Sequence, residues 1–246
     1  MPEQFAIMLG SGFTGFVDGA SSQSIDTPFG SPSAPLYQRK IGEHDVMALA
    51  RHGDTHAIPP HAINYRANIA ALKRLGVTSL IGLNTVGVIS SIRDGGQIGV
   101  PDQLIDYTWG REHTYFDGGD DGVRHIDFTE PFSDTLRQRL LAAAAAAGVD
   151  CYDGGVYAAT QGPRLETAAE IDRLERDGAD YVGMTGMPEA ILAAELDIDY
   201  AQLVLVVNKA AGRGDQPIHE DVEANSEAAK ALALRVVETL FSAGVG

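Results

Sequence analysis

Apolar runs and helical periods alternate along the chain. Short, nearly unbroken apolar runs at 5–9, 46–50, 79–84, 103–107, 155–160, 181–184 and 203–208 predict strands. Segments 63–75, 134–147, 167–177, 188–196 and 222–240 predict helices, and the alanine run at 142–147 is a strong helix former stopped by Gly148. In Leu203-Val204-Leu205-Val206-Val207 no polar residue alternates with the apolar ones, so that strand is expected to be buried on both faces. A sheet covered by helices follows, and the fold class is α/β. With no internal repeat and no linker, 1–246 reads as a single domain. Two long connections, 20–35 and 110–122, interrupt the pattern, and loops of that length inside a compact domain usually serve function.

Composition narrows the partners. The 246 residues can enclose a sizeable core. The formal net charge is -16, from 34 acidic and 18 basic residues. Nucleic acid and anionic membrane surfaces both need clustered Lys and Arg, so neither is expected as a partner. Lysine is confined to Lys40, Lys73, Lys209 and Lys230. The lone Cys151 excludes an internal disulfide and fits a reducing cytosol. No apolar run reaches ~18 residues and no leader-like segment opens the chain, so a soluble cytoplasmic protein is expected.

Candidate chemistry gathers where strands end. Ala50-Arg51-His52-Gly53 leaves a strand with a guanidinium beside an imidazole, and Gly183-Met184-Thr185-Gly186-Met187-Pro188-Glu189 offers a hydroxyl ahead of a helix start at Pro188. Arg, His and a hydroxyl near a helix N-terminus are the materials of an inorganic phosphate site. In so acidic a chain, such a site must work with local cations against the global field. Gly10-Ser11-Gly12-Phe13-Thr14-Gly15 has the spacing of a dinucleotide loop, but no amphipathic helix or later acidic strand end follows. It reads better as a phosphate nest or a tight turn. His52, Asp54, His56 and His61 invite a metal reading, which would make the protein a metal-dependent hydrolase, but Gly53, Pro59 and Pro60 break the helix that would align them. No G-x-S-x-G elbow is present, so a serine nucleophile is unsupported. In Thr160-Gln161-Gly162-Pro163-Arg164-Leu165-Glu166-Thr167, Pro163 and Glu166 are either first-turn residues of a helix or, for Glu166, a carboxylate facing a ligand. Asn208 is either a turn residue or an amide at the carboxyl end of a buried strand, where ligands of open α/β sheets collect. Its acceptor and donors suit N7 and O6 of a 6-oxopurine, and Glu166 suits N1–H.

The chain resembles the trimeric purine nucleoside phosphorylases and methylthioadenosine phosphorylases over essentially its whole length. It is most like the bacterial branch acting on S-methyl-5'-thioinosine. The segments carrying the likeness are GSG (10–12), DTPFGSPSAPL (26–36), ARHG (50–53), NYRANIAALK (64–73), LNTVG (83–87), HIDFTEPF (125–132), TQGPRLET (160–167), GMTGMPEA (183–190) and VVNKAAG (206–212). The resemblance implies a central mixed β-sheet and a phosphate site at Ser11, Arg51, His52, Thr185 and an Asn84-Thr85 turn. It places Met184 beneath the ribose, and Glu166 and Asn208 on the base. Lys209, Ala210 and Leu165 would wall the base pocket. His125 would reach across a subunit interface of a homotrimer or dimer of trimers, and His219 would approach the 5' group. Catalysis would fall to Asn208, Glu166 and His52, with purine nucleoside and phosphate as substrates and no metal or organic cofactor. Methylthioadenosine phosphorylases tend to carry Asp at the positions of Asn208 and Ala210, and that departure speaks against adenine as the base. In the family a phenylalanine that often stacks on the base is replaced here by Leu165, and the residue at Thr85 is commonly Ala. The alternatives are a methylthioadenosine phosphorylase, a metal-dependent hydrolase or a non-catalytic nucleoside-binding protein.

Overall fold

The computed structural model describes residues 3–91, 93–119 and 122–242. Its elements run β1 (Phe5–Leu9), β2 (Ser21–Gln23), β3 (Leu36–Ile41), β4 (His44–Ala50), α1 (Tyr65–Arg74), β5 (Ser79–Val88), β6 (Gln97–Val100) and β7 (Gln103–Asp106). They continue with α2 (Asp134–Ala146), β8 (Cys151–Asp153), β9 (Val156–Ala159), α3 (Ala168–Arg176), β10 (Tyr181–Gly183), α4 (Gly186–Glu195), β11 (Asp199–Lys209) and α5 (Ile218–Ser242). All seven expected strands and five expected helices are present. β2, β3, β6 and β8 were not expected. β3 alternates buried ends with half-exposed and exposed positions, β2 is exposed throughout, and neither makes a long apolar run. The ends of the molecule and positions 120 and 121 of the 110–122 connection lie outside the described residues.

The sheet is mixed, and its helices cover both faces. Along β11, Val204 and Val206 join the core beneath α1 and α4, whereas Leu203, Leu205 and Val207 join the core beneath α2 and α5. That period of two explains why the strand carries no polar alternation.

One topological feature positions the site. β5 pairs with β11 along its whole length, parallel, from Ser79 to Val88. Its other edge is shared: β1 pairs parallel with residues 79–82, and β10 pairs antiparallel at Gly87 and Val88. Between them the sheet forks, and β5 residues past Gly82 have no strand on that edge until Gly87. β5 also runs four residues beyond the expected 79–84, so Asn84 and Thr85 lie within a strand rather than in a turn. The carboxyl ends of β1, β4, β10 and β11 converge on this fork, the place where ligands of open sheets gather.

Candidate active site

A cavity of about 550 Å³ opens at the fork. Of the residues singled out from the sequence, it is lined by Ser11, Arg51, His52, Thr85, Leu165, Glu166, Met184, Thr185, Asn208 and Ala210. Asn84, Lys209, His125 and His219 are not on its wall.

Arg51 follows β4 and is fully buried. Its Nε and one Nη donate to the two carboxylate oxygens of Glu189, each at 2.8 Å. The other Nη donates at 3.0 Å to the Leu83 carbonyl, which the fork leaves without a strand partner. Burial disfavours the guanidinium charge, but the Glu189 carboxylate outweighs it, and the pKa of Arg51 is raised. Glu189 also accepts from the Tyr200 hydroxyl at 2.7 Å. Gly10 makes the packing possible, because a β-carbon there would strike the Leu83 carbonyl and approach the Arg51 guanidinium at 3.2 Å. Sequence reasoning missed Glu189, which looked like an ordinary acidic residue of a first helical turn. Its only signal was being one of two charges, with Glu195, in an otherwise apolar helix.

Asn84 works from behind the wall. Its Oδ1 accepts from Arg51 at 3.3 Å and its Nδ2 donates to the Thr185 hydroxyl at 3.0 Å. Thr185 thereby keeps its own proton to give to a ligand. The expected helix start at Pro188 is replaced by a kink: α4 opens at Gly186, and Met187 and Pro188 are non-helical. The amides of Thr185 and Gly186 point to the Tyr157 hydroxyl at 3.4 and 3.3 Å. The donor this loop leaves for an anion is therefore the Thr185 hydroxyl rather than the amides of a helix N-terminus.

His52, expected at the phosphate site, lines the cavity as a neutral ring. Its Nδ1 donates to the Ile58 carbonyl at 2.8 Å, since a carbonyl can only accept, so Nε2 is the acceptor of the neutral ring. Burial, opposed by the Ile58 contact and reinforced by Arg51 and His56, lowers its pKa to about 4. Neutral at pH 7, it brings no charge to an anion. His56 also lines the cavity, its Nε2 lying 3.4 Å from the Ser11 hydroxyl. Among the described residues, no three His, Cys, Asp or Glu side chains form a metal-holding group, so the His52, Asp54, His56 and His61 grouping does not assemble.

At the far wall, helix α3 is capped by a reciprocal Thr167–Glu170 pair and begins at Ala168. Glu166 precedes the cap, and Pro163 is not a first-turn residue. Glu166 instead accepts from the Thr160 hydroxyl at 2.6 Å and faces the cavity, where its second oxygen can receive an N–H. A bulge at Val207 in β11 shifts the register so that Asn208 pairs with Gly87. A β-carbon on Gly87 would stand 3.0 Å from Asn208 Nδ2, so the glycine leaves that amide its place. Asn208 donates to the Lys209 carbonyl at 2.6 Å, retaining one N–H and its oxygen for a ligand.

Arg111, which the sequence did not mark, ties the two site loops together. It is buried and donates to the carbonyls of Thr160, Gln161, Met184 and Met187 at 2.6–3.2 Å.

Three expected residues lie elsewhere. Lys209 turns its ammonium to Asp94 at 2.7 Å. His125 is exposed. His219 has a side chain 81% exposed and sits near Glu220, while its neighbour Ile218, with Val222 one turn on, faces the cavity.

The phosphorylase superfamily matches residues 4–242. The chain belongs to this family. A Pseudomonas syringae pv. tomato protein named "Probable S-methyl-5'-thioinosine phosphorylase" is 53% identical over 211 residues, covering 85% of this chain and 86% of its own. The "6-oxopurine nucleoside phosphorylase" of Pyrococcus furiosus is 42% identical over 226 residues, covering 89% and 84%. Among solved structures, methylthioadenosine phosphorylase from Schistosoma mansoni in complex with tubercidin superposes with a TM-score of 0.90 at 29% identity, covering 98% of this chain and 91% of that one. The protein is thus an enzyme of the phosphorylase class, with the α/β fold expected from its strand and helix pattern.

Proposed function

We propose that this protein is a purine nucleoside phosphorylase that cleaves 6-oxopurine nucleosides with inorganic phosphate, giving the free base and a ribose 1-phosphate, and that it prefers the 5'-methylthio nucleoside. One observation carries the reading: a single cavity holds a hydroxyl-and-guanidinium end (Ser11, Arg51, Thr85, Thr185) and a carboxylate-and-amide end (Glu166, Asn208). Phosphate at the first end attacks C1' from the face opposite the purine. The glycosidic bond breaks with positive charge growing on the ribosyl ring and negative charge on the base. The phosphate stabilises the first and Asn208 at N7/O6 the second, so catalysis is positioning and electrostatics. No metal or organic cofactor enters this scheme. Neutral His52 offers Nε2 as an acceptor for a protonated phosphate oxygen. Glu166 accepts N1–H of a 6-oxopurine, whereas a 6-aminopurine would turn a lone pair towards that carboxylate.

The 5' preference follows from α5. Ile218 and Val222 present an apolar wall and His219 points away, which suits a thioether better than a hydroxyl. A homotrimer is part of the proposal, with Trp109 and Leu165, exposed at 72% and 52%, among the surfaces it would cover. A cytoplasmic setting fits the single cysteine, and no helix among the described residues is long and apolar enough to cross a membrane.

The test is a panel of inosine, guanosine, adenosine and their 5'-methylthio forms, assayed with and without phosphate and with a chelator. Base release is expected only with phosphate, unaffected by chelation, and fastest for methylthioinosine. Release without phosphate would point to a hydrolase, and equal kcat/KM for adenosine and inosine forms would reject the base reading.

A further inference from the structure

The charges at the phosphate end of the cavity nearly cancel before an anion arrives. Arg51 is matched by Glu189 through two contacts of 2.8 Å, and Ser11, Thr85 and Thr185 contribute only hydroxyls. His52 is neutral at pH 7. A phosphate dianion would therefore sit there poorly compensated, in a protein whose net charge is -16. Among the described lining residues, the cationic side chains are Arg51 and Lys230. Lys230 lies on α5, on the helix face that also carries Ile218, Val222 and Ser226. Its Cδ is 3.9 Å from the point a β-carbon on Gly12 would occupy, so its stem crosses the loop beside Ser11. Its ammonium donates to Glu227 Oε1 at 2.7 Å. The two side chains are 26% and 82% exposed, and so open an ion pair exchanges partners readily. The other lysines are engaged away from the cavity, with Glu43, the Asp197 carbonyl and Asp94.

We propose that Lys230 is the cation that draws inorganic phosphate into the cavity and balances it there, with Glu227 holding the ammonium until phosphate replaces it. The inference rests on phosphate binding at Ser11, Arg51 and Thr185. Steady-state kinetics with inorganic phosphate and inosine test it on Lys230→Gln, Lys230→Arg and Glu227→Gln, with Thr185→Val as the control for phosphate placement. For Lys230→Gln, the phosphate KM should rise about tenfold while the inosine KM changes less than twofold, as expected for loss of one partly screened charge contact. Lys230→Arg should restore most of the affinity, Glu227→Gln should lower the phosphate KM, and added salt should affect kcat/KM for phosphate less in Lys230→Gln than in the parent. An unchanged phosphate KM in Lys230→Gln, or an equal rise in both KM values, overturns the role of Lys230. If Thr185→Val raises the phosphate KM while Lys230→Gln does not, only this inference fails. If neither variant moves it, the phosphate placement fails with it.

Discussion

Arg51 and Glu189 act as one unit, and removing half of it is worse than never having built it. Glu189→Gln keeps the shape of the site but strands a buried guanidinium, a change that typically costs 3–5 kcal/mol and here lowers Tm by roughly 10 °C. Bound phosphate would then replace the missing counter-charge. Thermal melts with and without phosphate should therefore show a larger phosphate-induced rise in Tm for Glu189→Gln than for the parent; equal rises would mean that Arg51 does not face the anion. His52 sets a pH dependence of definite sign. Its folded pKa of about 4 lies below the ordinary value near 6.5, so between them the unfolded chain holds the proton and the folded chain does not. Stability from this group is complete above about pH 6.5 and is lost as pH falls towards 4. The contribution is at most about 3 kcal/mol, reduced because the ring borders the cavity. Melts at pH 7 and pH 4.5 should show a smaller acid loss for His52→Gln than for the parent. Both residues were visible in the sequence as candidates, but their charge states were not, because Glu189 and the Ile58 carbonyl reach them only through the fold.

At the scale of elements, α5 supplies the apolar wall that the proposed function sets against the 5' end of a substrate. Helical spacing puts Ile218 and Val222 on the cavity and turns His219 about 100° away, into solvent. His219→Met should thus leave the ratio of methylthioinosine to inosine turnover unchanged. Val222→Ser should lower that ratio roughly tenfold, since an apolar pocket that gains a hydroxyl loses thioether contact and gains a partner for a 5'-hydroxyl. Competition assays with both nucleosides in one reaction would read the ratio directly, and a response to His219→Met but not Val222→Ser would reverse the assignment. The sequence pattern made α5 itself legible, along with the strands buried on both faces. The start of α5 at Ile218 rather than 222, which fixes the face of His219, depended on the loop before it and had no apolar period to mark it. Glu166 was left between two roles for a similar reason: the cap belongs to Thr167 and Glu170, a pairing seen only once α3 is placed.

For the whole molecule, the acidic surface and the exposed apolar groups pull in opposite directions. A net charge of -16 keeps copies apart, so association must come from a patch where apolar contact outweighs that repulsion. Trp109 and Leu165 provide apolar surface beside the base end of the cavity: the Trp109 amide donates to the Gln161 side chain at 3.2 Å, and Leu165 adjoins Glu166. If copies associate there, the assembly also shields the cavity mouth, and its integrity should couple to activity. A trimer formed against net repulsion should be favoured by salt, which screens the repulsion over about 8 Å at physiological ionic strength while leaving apolar contact intact. Light scattering should therefore find a trimer at 150 mM salt. Trp109→Glu adds a charge to that surface and should shift the mass towards monomer, with a fall in kcat/KM that higher protein concentration partly restores. A monomer of full activity, or a trimer indifferent to Trp109→Glu, would show that this surface does not hold copies together.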